Sequence, residues 1–98
     1  MPYTFVRLEK LSGPKKYGAV LMNTETKREK TVKFGATGYE DFTTIKDEAR
    51  KASYISRHRS RENWTKSGVD TPGFWSRWLL WNLPTITASL ADIKKRFF

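Results

Sequence analysis

The sequence has no cysteine and a single histidine, His58. The first absence removes any disulfide framework or thiolate metal site and suits a reducing compartment such as cytosol or nucleus. The second leaves too few ligands for nearly all zinc sites. Acids are scarce too: 10 aspartates and glutamates face 19 lysines and arginines, a formal net charge of +9. The paired acids, Glu40-Asp41 and Asp47-Glu48, are chain neighbours, so their carboxylates do not converge on one point. With no poised base or nucleophile beside His58, the residues predict no catalytic group, no metal and no cofactor. Long apolar runs are also missing. The most apolar stretch falls well short of the roughly 20 residues a membrane helix needs and is interrupted by Arg77. Residues 1–10 lack the apolar core of a signal peptide.

What the chain does have is aromatic bulk and positive charge. Aromatic residues make up 14% of 98 positions, enough to argue for one folded domain with a modest core rather than a disordered chain. A field of this sign favours nucleic acid, an anionic membrane surface or an acidic protein face. It says nothing about fold.

Three of the four tryptophans lie in residues 73–81, Gly-Phe-Trp-Ser-Arg-Trp-Leu-Leu-Trp. Thr71 suits a cap, Pro72 a first helical position, and Asn82 followed by Pro84 a stop, so a helix is expected over 71–82. Phe74, Trp78 and Trp81 share one row, with Trp75, Leu79 and Asn82 on the next. The apolar arc covers more than half the circumference. Such a helix belongs in the core, and Phe74, Trp75, Trp78 and Trp81 are its core residues or, on one open face, its protein-partner residues.

Upstream, residues 3–35 read as a β-meander. Tyr3, Phe5 and Arg7 alternate with Thr4, Val6 and Leu8, residues 17–22 form a short apolar run, and residues 28–34 alternate through Lys30, Val32 and Phe34. Lys27, Arg28, Lys30 and Lys33 read as charge guarding a solvated edge. Gly35 and Gly38 match neither the dinucleotide fingerprint nor the phosphate loop, and predict a plain turn into a helix.

A basic helix is expected over 44–63, opened by the capping-box spacing of Thr44 to Asp47. Ile45, Ala49, Ala52, Ile55 and Ser56 would pack inward. Lys46, Arg50, Tyr54, Arg57 and Arg61 would form an outward row, with Lys51 and His58 at its flank. Arginines one turn apart with a tyrosine among them fit phosphate contacts plus aromatic stacking on nucleic acid or another anionic partner. The plainer alternative is a solvated face whose arginines bridge to the protein's own acids. A last amphipathic helix over 85–97, capped by Thr85 or Thr87, would pack through Ile86, Leu90, Ile93 and Phe97. The fold class is therefore α+β: a small three-stranded antiparallel sheet followed by three helices packed around the Trp-rich one, in one domain over 1–98.

The segments Lys-Phe-Gly-Ala-Thr-Gly-Tyr-Glu-Asp-Phe (33–42), Lys-Asp-Glu-Ala-Arg-Lys (46–51), Tyr-Ile-Ser-Arg-His (54–58), Arg-Glu-Asn-Trp (61–64) and the 73–81 block together resemble a small protein family of the nucleocytoplasmic large DNA viruses of algae and amoebae. The resemblance spans roughly residues 17–84. It implies a viral setting: a structural protein of the virion, a minor capsid or internal component, present in host cytoplasm or nucleus during infection. The partners implied are other virion proteins of capsid or core, or packaged DNA, and not a small-molecule substrate. It carries no catalytic residues onto this chain.

Overall fold

The computed structural model describes residues 3–98. Strands β1 (Tyr3–Lys10), β2 (Lys15–Asn23) and β3 (Glu29–Ala36) form an antiparallel sheet in the order β1-β2-β3, and helical segments follow, so the fold is α+β. Central β2 is buried through Gly18–Leu21 on both sides of its pleat. The β2–β3 turn is built by Asn23, whose side-chain oxygen accepts from the amides of Glu25 and Thr26 at 2.9 and 3.2 Å. Lys27 closes it in the left-handed region at φ 61°.

The expected alternation of β1 holds only to Phe5. A β-bulge between Phe5 and Arg7 shifts the register, so that Phe5 opposes Leu21 and Leu8 opposes Ala19 while Arg7 opposes Val20. The extra residue, Val6, resets the period. Leu8 therefore joins Tyr3 and Phe5 against the core, and Arg7 moves to the outer face.

The expected helix over 44–63 is two elements. Helix α1 (Phe42–Ile45) is capped by Asp41, whose carboxylate accepts from the Thr43 amide at 2.9 Å while the Thr44 hydroxyl accepts from the Asp41 amide at 3.1 Å. Thr44 thus serves the end of a capping box, not its start. Lys46 ends α1 at φ 51°, and Asp47 caps α2 (Glu48–His58) by accepting from the amides of Ala49 and Arg50. An aspartate carboxylate, at 41 and again at 47, takes the cap position in place of the threonine.

The Trp-rich stretch starts as α3 (Pro72–Trp75) and widens into a π-helical turn over Ser76–Leu80, closed by the Trp81 amide on the Ser76 carbonyl at 3.1 Å. Trp75 is fully buried and donates Nε1–H to the Val69 carbonyl at 2.6 Å. Helix α4 (Ile86–Phe97) is capped by Thr85 and packs the Phe97 ring edge-on to Phe74, centroids 4.8 Å apart. Phe34 and Leu21 from the sheet, Phe74, Trp75, Leu79 and Leu80 from the Trp-rich stretch, and Ile93 from α4 make one core. The chain is organised around residues 72–81, as the sequence predicts. No helix among the described residues is long and apolar enough to cross a membrane.

Candidate functional site, a basic groove beside the second helix

A groove of about 950 Å³ runs between the ends of β2 and β3, the 36–41 connection, α2 and the start of the Trp-rich stretch. Lys15, Arg50, Arg57 and His58 stand on its walls, Phe34, Leu80, Tyr54 and Trp81 contribute its apolar lining, and Tyr39 stands at its margin, 74% exposed. Three acids also line it: Glu40, Asp41 and Glu62. Two are neutralised in place. Arg50 donates to Glu40 at 2.6 Å in an exposed pair, and Lys16 donates to the buried Asp41 carboxylate at 2.6 Å and to the Tyr39 carbonyl. The Lys16–Asp41 bridge ties β2 to the α1 cap and positions the Tyr39 loop.

Glu62 reaches the start of α3. A Cβ placed on Gly73 would lie 1.7 Å from Glu62 Oε2, so the glycine makes the room this carboxylate occupies. Negative charge is favourable beside unpaired amides at a helical start.

The outward arginine row is only partly present. Tyr54 points inward: its ring stacks on Trp81 with centroids 4.8 Å apart and on His58 with centroids 4.2 Å apart. Burial, then the Glu62 charge, pushes its hydroxyl up to about 12, with Arg77 and a hydrogen bond from Ser76 acting the other way. Helix α2 is therefore turned so that Lys51, Tyr54 and His58 face the protein, while Ala49, Ala52 and Ser56, expected inside, are exposed. A tyrosine ring has far more area to bury than alanine or serine, and that difference decides the rotation.

Lys51 is spent on the fold. Its ammonium donates to the Asn82 carbonyl at 2.7 Å, lies over the Phe42 ring at 4.6 Å and is 3.8 Å from Glu48. Lys46 bonds the Thr43 carbonyl, and Arg61 folds back onto the Arg57 carbonyl. His58 holds its Nδ1 3.0 Å from the Tyr54 carbonyl. Of the seven residues proposed for an anionic partner, Arg50, Tyr54, Arg57 and His58 come together at the groove, whereas Lys46, Lys51 and Arg61 do not line it.

The Trp-rich residues leave no broad open face. Phe74 and Trp75 are fully buried. Half-buried Trp78 donates to the Trp64 carbonyl at 2.9 Å and carries Arg77 at 4.4 Å and Arg96 at 5.1 Å over its ring. Trp81 is half-buried, one face stacked on Tyr54 while it also lines the groove. Burial lowers the Arg77 guanidinium from its ordinary value, and this cation is held by the rings and by the Trp81 carbonyl at 2.8 Å.

Lys15, Lys16, Tyr39 and Glu62 were not singled out by sequence reasoning. Glu62 carried a signal, a carboxylate four residues after His58, and so did Tyr39, an aromatic residue between Gly38 and two acids in a turn. Among the described residues, no group of three or more histidines and carboxylates is arranged to hold a metal ion.

Fold and groove define a small basic α+β protein with an open, polar cleft. Residues 9–58, just over half of the chain, match the model of a family of unknown function (DUF5754), and the chain belongs to that family. Comparison with curated proteins and with solved structures gives no match.

Proposed function

We propose that this protein is a non-enzymatic structural component of a large DNA virus particle, a minor capsid or internal protein held by electrostatic and protein–protein contacts. The observation that carries the reading is its charge bookkeeping. Six ion pairs join Arg7, Lys16, Lys30, Arg50, Lys51 and Arg96 to six of the acids. Lys15, Arg57 and Arg59, among other cations, have no carboxylate within ion-pair distance among the described residues. Uncompensated positive charge repels itself within one small domain, and an anionic partner relieves it.

Because Phe74 and Trp75 are fully buried and Trp78 and Trp81 are half-buried, the contact is chiefly electrostatic. The viral setting rests on the resemblance of the segments in residues 33–81. Mass spectrometry of purified particles, before and after the DNA is expelled, tests it. Retention in emptied shells is expected; absence from particles overturns the reading.

A second reading, direct binding of nucleic acid, is favoured by Lys15 and Arg57 facing one groove with exposed Tyr39 at its margin. It requires DNA affinity that falls with salt by about one log unit of slope per phosphate contacted. Affinity indifferent to salt removes it.

A further inference from the structure

We propose that the free edge of β1 accepts an extended, acidic segment of a partner protein as a fourth strand. This rests on a different corner of the molecule from the basic groove and does not depend on that groove's role. Among the described residues, strand β1 is hydrogen-bonded on one side only, to β2. A second groove of about 590 Å³ is lined by the four consecutive residues Tyr3 to Val6 together with Lys66, Lys94, Phe97 and Phe98. Four successive residues point to both faces of a sheet, so a groove touching all of them follows the strand's unpaired edge.

The two edges of the sheet carry charge unequally. Strand β3 carries Glu29, Lys30 and Lys33 and follows Lys27 and Arg28, the charge that discourages edge pairing. The first half of β1, Tyr-Thr-Phe-Val, has none, and its charges Arg7, Glu9 and Lys10 lie beyond the bulge. Val6 is 37% exposed and Phe98 41% exposed, both beside this edge. Phe98 continues the core outward, its ring 6.0 Å from Phe5 and 6.3 Å from Trp75. An added strand would place alternate side chains on that apolar surface while its amides meet the open edge.

Charge selects the occupant. Lys94 holds its ammonium over Phe5 at 5.4 Å, and neither Lys94 nor Lys66 has a carboxylate partner among the described residues. A second copy of this chain would bring the same lysines, and another +9, to the same place. An acidic strand is attracted where a second copy is repelled.

The probe is a capped seven-residue peptide alternating valine and aspartate, read by amide hydrogen exchange along the full protein. Binding that slows exchange at residues 3–6 is expected. Methylating alternate backbone nitrogens of the peptide should abolish that protection. The exposed pair Lys66→Glu with Lys94→Glu should weaken binding by about tenfold or more and admit the peptide in which lysine replaces aspartate. No binding at millimolar peptide, protection located only elsewhere, or indifference to methylation would overturn the proposal. So would dimerisation through residues 3–6, or protection of that edge by phosphatidylserine vesicles in place of the peptide.

Discussion

Tyr54 lies flat on Trp81, ring centroids 4.8 Å apart and planes 7° from parallel, and the stack joins α2 to the Trp-rich stretch. The residue that sequence periodicity would put at the centre of an outward binding row is therefore a packing residue. Tyr54→Ala should lower stability by about 3–4 kcal/mol, from lost buried area plus the lost ring pair. A solvated tyrosine would cost within about 0.5 kcal/mol. Urea unfolding followed by tryptophan fluorescence separates the two.

The same burial sets a pH dependence. The Tyr54 hydroxyl is raised from 10.0 to about 12 in the folded chain. Between those values the unfolded chain has released this proton and the folded chain still holds it. Stability contributed by this group is therefore complete below pH 10, falls as pH rises through the window, and levels off beyond about 12. Phenolate absorbance should show one tyrosine titrating late. Tyr54→Phe should remove that step and flatten this part of the stability decline.

Much of the architecture could be read from the chain because its apolar area is so unevenly distributed. Residues 73–81 had to be buried, and the alternation of Val32 and Phe34 had to face them. What the pattern could not reveal were single-residue shifts with long consequences. Val6 bulges and exchanges the faces of Arg7 and Leu8, a change invisible to a period-two count. Helix α2 begins three residues later than residue 45, where the capping-box reading put its first turn, and turns Tyr54 inward, because aromatic stacking outweighed the small-residue stripe. The groove was less legible still, since Lys15, Tyr39 and Glu62 are brought to it by three separate segments.

Glycines give a sharp steric test. A Cβ on Gly68 would stand 2.1 Å from the Asn63 carbonyl oxygen, which is backbone and cannot swing away, whereas Gly13 has nothing within 4 Å. Gly68→Ala should cost about 2–3 kcal/mol, the range of overpacking, while Gly13→Ala should be near neutral. Thermal unfolding of the two variants, made in parallel, checks the difference.

The two caps differ in what else they do. Asp47 only caps, so Asp47→Ala should cost about 1 kcal/mol. Asp41 caps α1 and also receives half-buried Lys16 at 2.6 Å. Removing it takes away the cap and leaves that ammonium without its carboxylate, and Asp41→Ala should cost about 2–4 kcal/mol. Asp41→Ala combined with Lys16→Met should recover part of the loss, because no charge is then left without its partner. A double-mutant cycle by chemical denaturation measures the coupling, and additive costs would show that the pair is not energetically linked.

Charge at the groove and charge inside the fold should behave oppositely toward a polyanion. Arg57 lines the groove without a carboxylate partner among the described residues, whereas Lys51 is held by the Asn82 carbonyl and the Phe42 ring. If a nucleic acid occupies the groove, Arg57→Gln should reduce the slope of log affinity against log salt by about one, with little change in stability. Lys51→Gln should leave the slope unchanged and lower the unfolding midpoint instead. Titration of a labelled duplex at several salt concentrations, beside urea unfolding of each variant, reads both quantities. Equal slopes for the wild type and Arg57→Gln would move the contact away from this groove, and a slope change in Lys51→Gln without loss of stability would show that its ammonium is released from the fold on binding.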